Sequence, residues 1–365
     1  MNSIANFFER EFALLTGRAT TALYVLLKAL GLEHAHVLVP INVCYAVPLA
    51  VLRSGNIPVF CDISLDHYGV TTETLAKALT TQTRAAVIVH MYGHPGEWDE
   101  VADWCRRQNI YLIEDAALAI GGRLDNRKVG ALGDSALLSF GYGKVIDCEV
   151  GGALLTNDQR LYREAVSAQA KLPAFRGDLL EMIKEFSQLY RLMRRFEKSR
   201  PHIHRVYATL FNLYADSYFF QPEAGWLDRI WQDVQKLPER MKKRQKRAAI
   251  YDRELQHPWL IKTKFPPECM IWRYTFRCLN DRDQLLNYLR AHNIPATSWY
   301  PAVDRMFFER TASDNLRFPH GSQADDQVVN LWVDDAVSDE DVLRTTELIA
   351  EWLEDHARAA STEDL

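Results

Sequence analysis

Residues 111–144 read YLIEDAALAIGGRLDNRKVGALGDSALLSFGYGK. Tyr111 to Ile113 is a short apolar run that ends on Glu114 and Asp115. A glycine-rich turn follows, then a second apolar run, Ala136 to Phe140, and then Lys144 behind two glycines. Runs this short and this apolar predict buried strands, with the polar residues falling just past their ends. Working outward toward the N-terminus, Trp98–Gln108 has helical spacing, Ala85–His90 reads as a buried strand and Thr72–Leu79 as a helix. Pro58–Ile63 is strand-like, Ala46–Ser54 helical, Val37–Val39 a strand and Thr20–Leu30 a helix. Gly152–Thr156 continues the pattern beyond Lys144. Apolar strands separated by amphipathic helices predict an α/β fold built on a mostly parallel sheet covered on both faces. In such sheets ligands bind beyond the carboxyl ends of the strands, which is where Asp115, Ser139 and Lys144 fall.

The segment 178–216 departs from that alternation. It is long, helical in period, rich in Arg, His and aromatic residues, and broken by Pro201. Lys184, Arg191, Arg194, Arg195, Lys198, Arg200 and Arg205 make its 184–205 portion basic in a chain of net charge −5. Two readings stand: a solvated helix pair, or a surface at the mouth of the site that attracts a phosphorylated acceptor. From Trp226 the chain reads as helix through Arg253, strand (Ile271–Leu279), helix (Asp281–His292), strands (Ala296–Tyr300 and Asn330–Val333) and a last helix N-capped by Ser338. These elements predict a smaller α+β domain. We place a large domain at 1–235, including the helical segment 178–216, and a small domain at 236–365.

A chain of 365 residues suggests about two domains. The acidic balance speaks against a nucleic-acid binder. The longest uncharged stretch, Val37–Leu52, contains Pro40 and Pro48 and is too short for a membrane span. Cys44, Cys61, Cys105, Cys148, Cys269 and Cys278 are scattered, with no C-x-x-C pair, so reduced thiols and no metal site are expected. Residues 1–11 lack a basic start leading into an apolar run, which predicts a cytoplasmic protein.

Each polar residue near the strand ends has a plain reading and a chemical one. Asp115 caps the next turn or, buried in the crevice, holds a proton on a pyridine nitrogen. Lys144 is a surface lysine or, facing a cavity with a lowered pKa, a Schiff-base amine. Ser139 bonds to backbone or binds phosphate. Thr20, in Gly17-Arg18-Ala19-Thr20-Thr21, is an N-cap or part of a phosphate seat at a helix N-terminus. No G-x-G-x-x-G follows the first strand, so a dinucleotide site is not supported.

The chain resembles the DegT/DnrJ/EryC1/StrS family of pyridoxal phosphate enzymes, mostly sugar aminotransferases. The resemblance runs from about Phe8 to Asp158 and is strongest in IEDAA and the SF-x-x-x-K run. It implies the type I aminotransferase fold, a pyridoxal 5'-phosphate cofactor and a homodimer. It implies that Lys144 forms the Schiff base, that Asp115 pairs with the ring nitrogen, and that Ser139, Thr20 and the Ala19 backbone hold the phosphate. Cys44 falls where family members often stack an aromatic on the ring. Arg18-Ala19-Thr20 stands in place of the usual Ser-Gly-Thr, and Leu118 in place of a Gln or His. A later Tyr-Asn-Tyr-Arg-like run is absent, with YFFQPEAG (Tyr218–Gly225) near its place, and Thr297–Arg305 (TSWYPAVDR) faintly echoes a loop near substrate. The resemblance implies a reaction that moves an amino group from glutamate to a keto sugar linked to a nucleotide. A non-sugar acceptor and a non-catalytic binding paralogue are the alternatives.

Overall fold

The computed structural model describes residues 2–197, 199–200, 202–309 and 317–363. The large sheet has seven strands: β1 (Phe12–Thr16), β2 (His36–Pro40), β3 (Ile57–Cys61), β4 (Thr83–Val89), β5 (Tyr111–Asp115), β8 (Ser135–Ser139) and β9 (Gly152–Thr156). A two-stranded hairpin, β6 (Arg123–Leu124) and β7 (Arg127–Lys128), interrupts the series. Across the sheet the order is β1-β9-β8-β5-β4-β2-β3. The pairs from β3 through β8 are parallel, and β9 runs antiparallel to both its neighbours, β8 and the edge strand β1.

Burial explains why these runs are strands. The last five residues of β4 and all of β8 and β9 are buried, as expected when helices cover both faces of a sheet. The connecting helices are α1 (Asn2–Phe7), α2 (Ala19–Ala29), α3 (Ala46–Arg53), α4 (Thr72–Ala78), α5 (Trp98–Arg107) and α6 (Gln159–Gln169). Local chemistry fixes their ends. Thr71 and Thr74 form a reciprocal capping box on α4, and the Asp158 carboxylate accepts from Arg160 and Leu161 N–H groups at the start of α6. Helix α5 carries Asp99 and Glu100 in its first turn and Arg106 and Arg107 in its last, matching the helix dipole at both ends.

Segment 178–216 is a helix pair, α7 (Asp178–Arg194) and α8 (Ile203–Leu213). Phe186 and Tyr190 on α7, and Ile203, Tyr207 and Phe211 on α8, are buried at i, i+4 spacing. Two further helices follow, α9 (Trp226–Val234) and α10 (Leu237–Glu254). The sequence predicts one helix here; Pro238 at the start of α10 begins a new one.

The second sheet is antiparallel, in the order β10-β11-β13-β12. Its strands are β10 (Leu260–Lys262), β11 (Tyr274–Cys278), β12 (Ala296–Thr297) and β13 (Val328–Leu331). Tyr274, Phe276, Val329 and Leu331 from this sheet meet Leu285 and Leu289 of helix Arg282–Ala291 and Trp352 of the last helix, Asp339–Glu363. Ser338 caps that last helix, accepting from Asp341 N–H. Strand β12 is shorter than the sequence predicts, because Tyr300 turns its N–H to the Tyr92 hydroxyl and leaves the sheet. No helix among the described residues is long and apolar enough to cross a membrane.

Candidate active site

The candidate residues gather at the carboxyl ends of β5 and β8. Strand alternation sends the neighbours Glu114 and Asp115 to opposite faces of the sheet. Glu114 is fully buried; it lies 2.9 Å from His90 Nε2 and accepts from the N–H groups of Gly130, Leu132 and Gly133. Burial pushes its carboxyl up, but these partners outweigh that and hold it below the usual carboxylate range. Glu114 therefore anchors the turn that leads into β8. It is absent from the sequence-based site, and its place beside Asp115 in a buried strand was the signal for it.

Asp115 faces the other way. Its Oδ1 accepts from Ala117 N–H at 2.9 Å. Burial raises its pKa, and the Ala117 N–H and the Lys144 charge oppose the rise. Burial lowers the pKa of Lys144, against the pull of Asp115 and with the help of Arg18. A lysine and a carboxylate thus share one desolvated pocket, each shifted toward its neutral form.

Tyr300 completes the group, accepting a long hydrogen bond from Lys144 Nζ at 3.4 Å. Its ring stacks on Trp272, and the Trp272 indole N–H donates to Gly143 O at 2.8 Å. The segment leading into β11 therefore pins the lysine loop. Tyr300 lies in the Thr297–Arg305 stretch that the sequence flagged, but no residue within that stretch stood out. Cys44 sits on the turn before α3, half-buried, close enough to act electrostatically on Lys144 and Tyr300.

The start of α2 lies alongside. Arg18, not Thr20, is the N-cap residue, and its side chain makes no capping bond. Ser139 pairs with Gly152 across the sheet. A Cβ on Gly152 would stand 2.3 Å from Ala19 N, so only glycine lets β9 approach the helix this closely. Ala19, Thr20 and Ser139 are thereby brought together. Thr20 and Ser139 are each 7% exposed, and neither hydroxyl is hydrogen-bonded within the described chain.

The helix pair borders the same site through Tyr45, the neighbour of Cys44. The Tyr45 ring lies 5.4, 4.8 and 5.6 Å from those of Phe186, Tyr190 and Phe211, and its hydroxyl is 3.1 Å from that of Tyr218. Trp299 stacks on Tyr190. Of the basic residues, Arg194 is turned inward. It donates to Glu197 at 2.9 Å and approaches Asp325, so it is a half-buried ion-pair partner and not a free surface charge. Arg191, Arg195, Arg200 and Arg205 are exposed, and Lys198 lies outside the described residues.

These residues fit pyridoxal phosphate. Free N–H groups at a helix start and two unbonded hydroxyls suit a phosphate, a buried carboxylate suits a ring nitrogen, and a buried amine suits an aldehyde.

The comparisons with known proteins agree. The chain is 32% identical over 153 residues to the GDP-perosamine synthase of Escherichia coli O157:H7, covering 42% of each chain. It spans about two fifths of the length of that relative. It is 23% identical over 354 residues to the dTDP-3-amino-3,6-dideoxy-alpha-D-galactopyranose transaminase of Aneurinibacillus thermoaerophilus, covering 94% of this chain and 88% of the relative. Among solved structures, S. venezuelae DesV in complex with a ketimine intermediate superposes with a TM-score of 0.76 at 24% identity, over 96% of this chain and 87% of that one. The model of the DegT/DnrJ/EryC1/StrS aminotransferase family matches residues 2–172 and 231–350, leaving the block 173–230 between them unmatched. With the sheet order, the paired lysine and carboxylate and this match in hand, the chain belongs to the DegT/DnrJ/EryC1/StrS aminotransferase family of pyridoxal phosphate proteins.

Proposed function

We propose that this protein is a pyridoxal phosphate-dependent aminotransferase that carries an amino group from an amino acid, with glutamate as donor, to a keto sugar linked to a nucleotide. The observation that carries the reading is the desolvated pair Lys144 and Asp115 at the carboxyl ends of β8 and β5, beside the open start of α2. The names of the sugar transaminase relatives support the acceptor class.

When bound, pyridoxal phosphate supplies an aldehyde that captures amines and a ring that accepts electrons from the substrate carbon. The chain's own residues do the rest. Thr20, Ser139 and the N–H groups at the start of α2 bind the phosphate. Asp115 uses Oδ1 to accept from Ala117 N–H, and its second oxygen is left to hold a proton on the ring nitrogen. Burial keeps Lys144 Nζ more readily neutral than an exposed lysine, so it can bond to the cofactor and later take up and return a proton. Tyr300 and the Trp272–Gly143 bond orient that amine.

The active form is proposed to be a homodimer. Tyr142, two residues before Lys144, is 81% exposed, which suits a ring waiting for a second copy. Borohydride treatment of the yellow protein, followed by peptide mass analysis, tests the reading: the fixed pyridoxyl mass should sit on Lys144. The mass on another lysine, or no uptake of the cofactor, would defeat it. Sedimentation of an active species of 42.0 kDa would defeat the dimer.

A further inference from the structure

One cation in the site has no anion. The buried arginines Arg10 and Arg273 and the half-buried Arg194 each face a carboxylate, from Glu114, Asp334 and Glu197 respectively. Arg18 forms no ion pair among the described residues. Its Nη1 donates to Ser217 O at 3.2 Å, and its guanidinium lies 5.1 Å from the centre of the Tyr218 ring. Those two contacts fix its direction and do not neutralise its charge.

The charge is felt where the chemistry is. Burial lowers the pKa of Lys144 and Arg18 adds to that fall, while at Tyr45 and Tyr218 burial raises the pKa and Arg18 opposes the rise. Arg18 therefore adds a cation beside the Lys144–Asp115 pair, whose members are each shifted toward neutrality, with the positive end of α2 adjacent. A desolvated pocket with that balance calls for an anion. Thr20, two residues on from Arg18, and Ser139, whose strand partner Gly152 meets Ala19, are each 7% exposed and carry unbonded hydroxyls.

We propose that Arg18 is a binding residue for the phosphate of the cofactor, adding a guanidinium to a seat otherwise made of neutral hydroxyls and backbone N–H groups. The inference rests on the aminotransferase reading above. It further assigns a role to the unmatched block: Ser217 and Tyr218 hold Arg18 in place, and Thr21 secures them by donating to Tyr218 O at 2.8 Å. Arginine suits the task because its planar fork engages two phosphate oxygens together.

The test compares pyridoxal phosphate with pyridoxal, which lacks only the phosphate. Absorbance titration gives a Kd for each compound on the wild type, Arg18→Gln, Arg18→Lys and Tyr218→Leu, with thermal melts to show that each variant folds. Arg18→Gln should weaken pyridoxal phosphate about tenfold to a hundredfold, as expected for a lost charged hydrogen bond, and leave pyridoxal within about twofold. Arg18→Lys should recover part of the loss, and Tyr218→Leu should lose less than Arg18→Gln. The phosphorus resonance of the bound cofactor should titrate at higher pH in Arg18→Gln. Unchanged affinity for pyridoxal phosphate, or an equal loss for both compounds, would overturn the proposal. A wild type that binds neither compound would defeat the aminotransferase reading itself.

Discussion

Two walls of one pocket are built differently. The floor comes from β5, β8 and the start of α2, all within residues the family model matches. It is backbone-dominated: strand ends, a helix N-terminus and a glycine contact place a few polar groups. The wall made by α7 and α8 lies in the unmatched block, and it is side-chain-dominated, with stacked rings and buried ions. The difference teaches where each kind of change is felt. Loss of a polar atom on the floor removes chemistry while the backbone frame persists. Loss of a ring or a charge in the wall alters packing and stability first, because interiors are close-packed.

Substitutions on the two sides can break or sharpen that contrast. The largest effect is expected for Lys144→Ala. It should remove the borohydride-fixed mass and cut turnover by about a thousandfold or more, since covalent and proton-transfer roles vanish together; its melting temperature should stay near or above that of the wild type. A large loss of stability in this variant would break the contrast.

Asp115→Asn comes next. The variant should retain cofactor and lose two to three powers of ten in the glutamate half-reaction, about 3–4 kcal/mol of barrier. Rapid-mixing absorbance measures it, and near wild-type rates would remove Asp115 from the chemistry. Tyr300→Phe should be milder, about threefold to tenfold, an effect of the size of one neutral hydrogen bond. Losing the acceptor for Lys144 N–H disfavours the ammonium form, so the acid limb of the rate profile should move to lower pH.

On the wall, Tyr45→Phe should cost about 1 kcal/mol in denaturant unfolding, the worth of the lost Tyr45–Tyr218 bond. Cofactor affinity should not change. A last expected effect concerns pH. Burial pushes the Glu197 carboxyl up to about 7, against the pull of Arg194. A carboxyl whose folded value lies above its unfolded one binds more protons when folded. Stability therefore falls as pH rises between about 4.5 and 7, by at most about 3 kcal/mol from this group. Glu197→Gln should flatten that slope in melts across the same range; an unchanged slope would remove Glu197 as its source.

Much of the floor was legible because its physics is local. An apolar run shows a buried strand, and a carboxylate at its end is placed by the strand itself, as at Asp115. A glycine-flanked lysine after the next run was readable in the same way. Tyr300, Glu114 and Arg18 were less legible because distant parts of the chain set their roles. Tyr300 reaches Lys144 across 156 residues, and Arg18 takes its direction from Ser217 across 199. The basic run illustrates the opposite error. Composition counts Arg194 with its neighbours, whereas helical phase turns it inward to Glu197 and leaves Arg191 and Arg195 outside.

The bond from the Trp272 indole to Gly143 O spans 129 residues and ties the lysine loop to the neighbourhood of the second sheet. That bond cannot form until the segment entering β11 has docked beside the first sheet, and closing the intervening chain costs entropy. The loop next to Lys144 is thus expected to become rigid only once both sheets have assembled. On the proposed reading, capture of the cofactor then becomes a report on complete folding: a chain halted with only its first sheet formed would hold Asp115 and Ser139 in place and still lack a fixed Lys144 amine to offer.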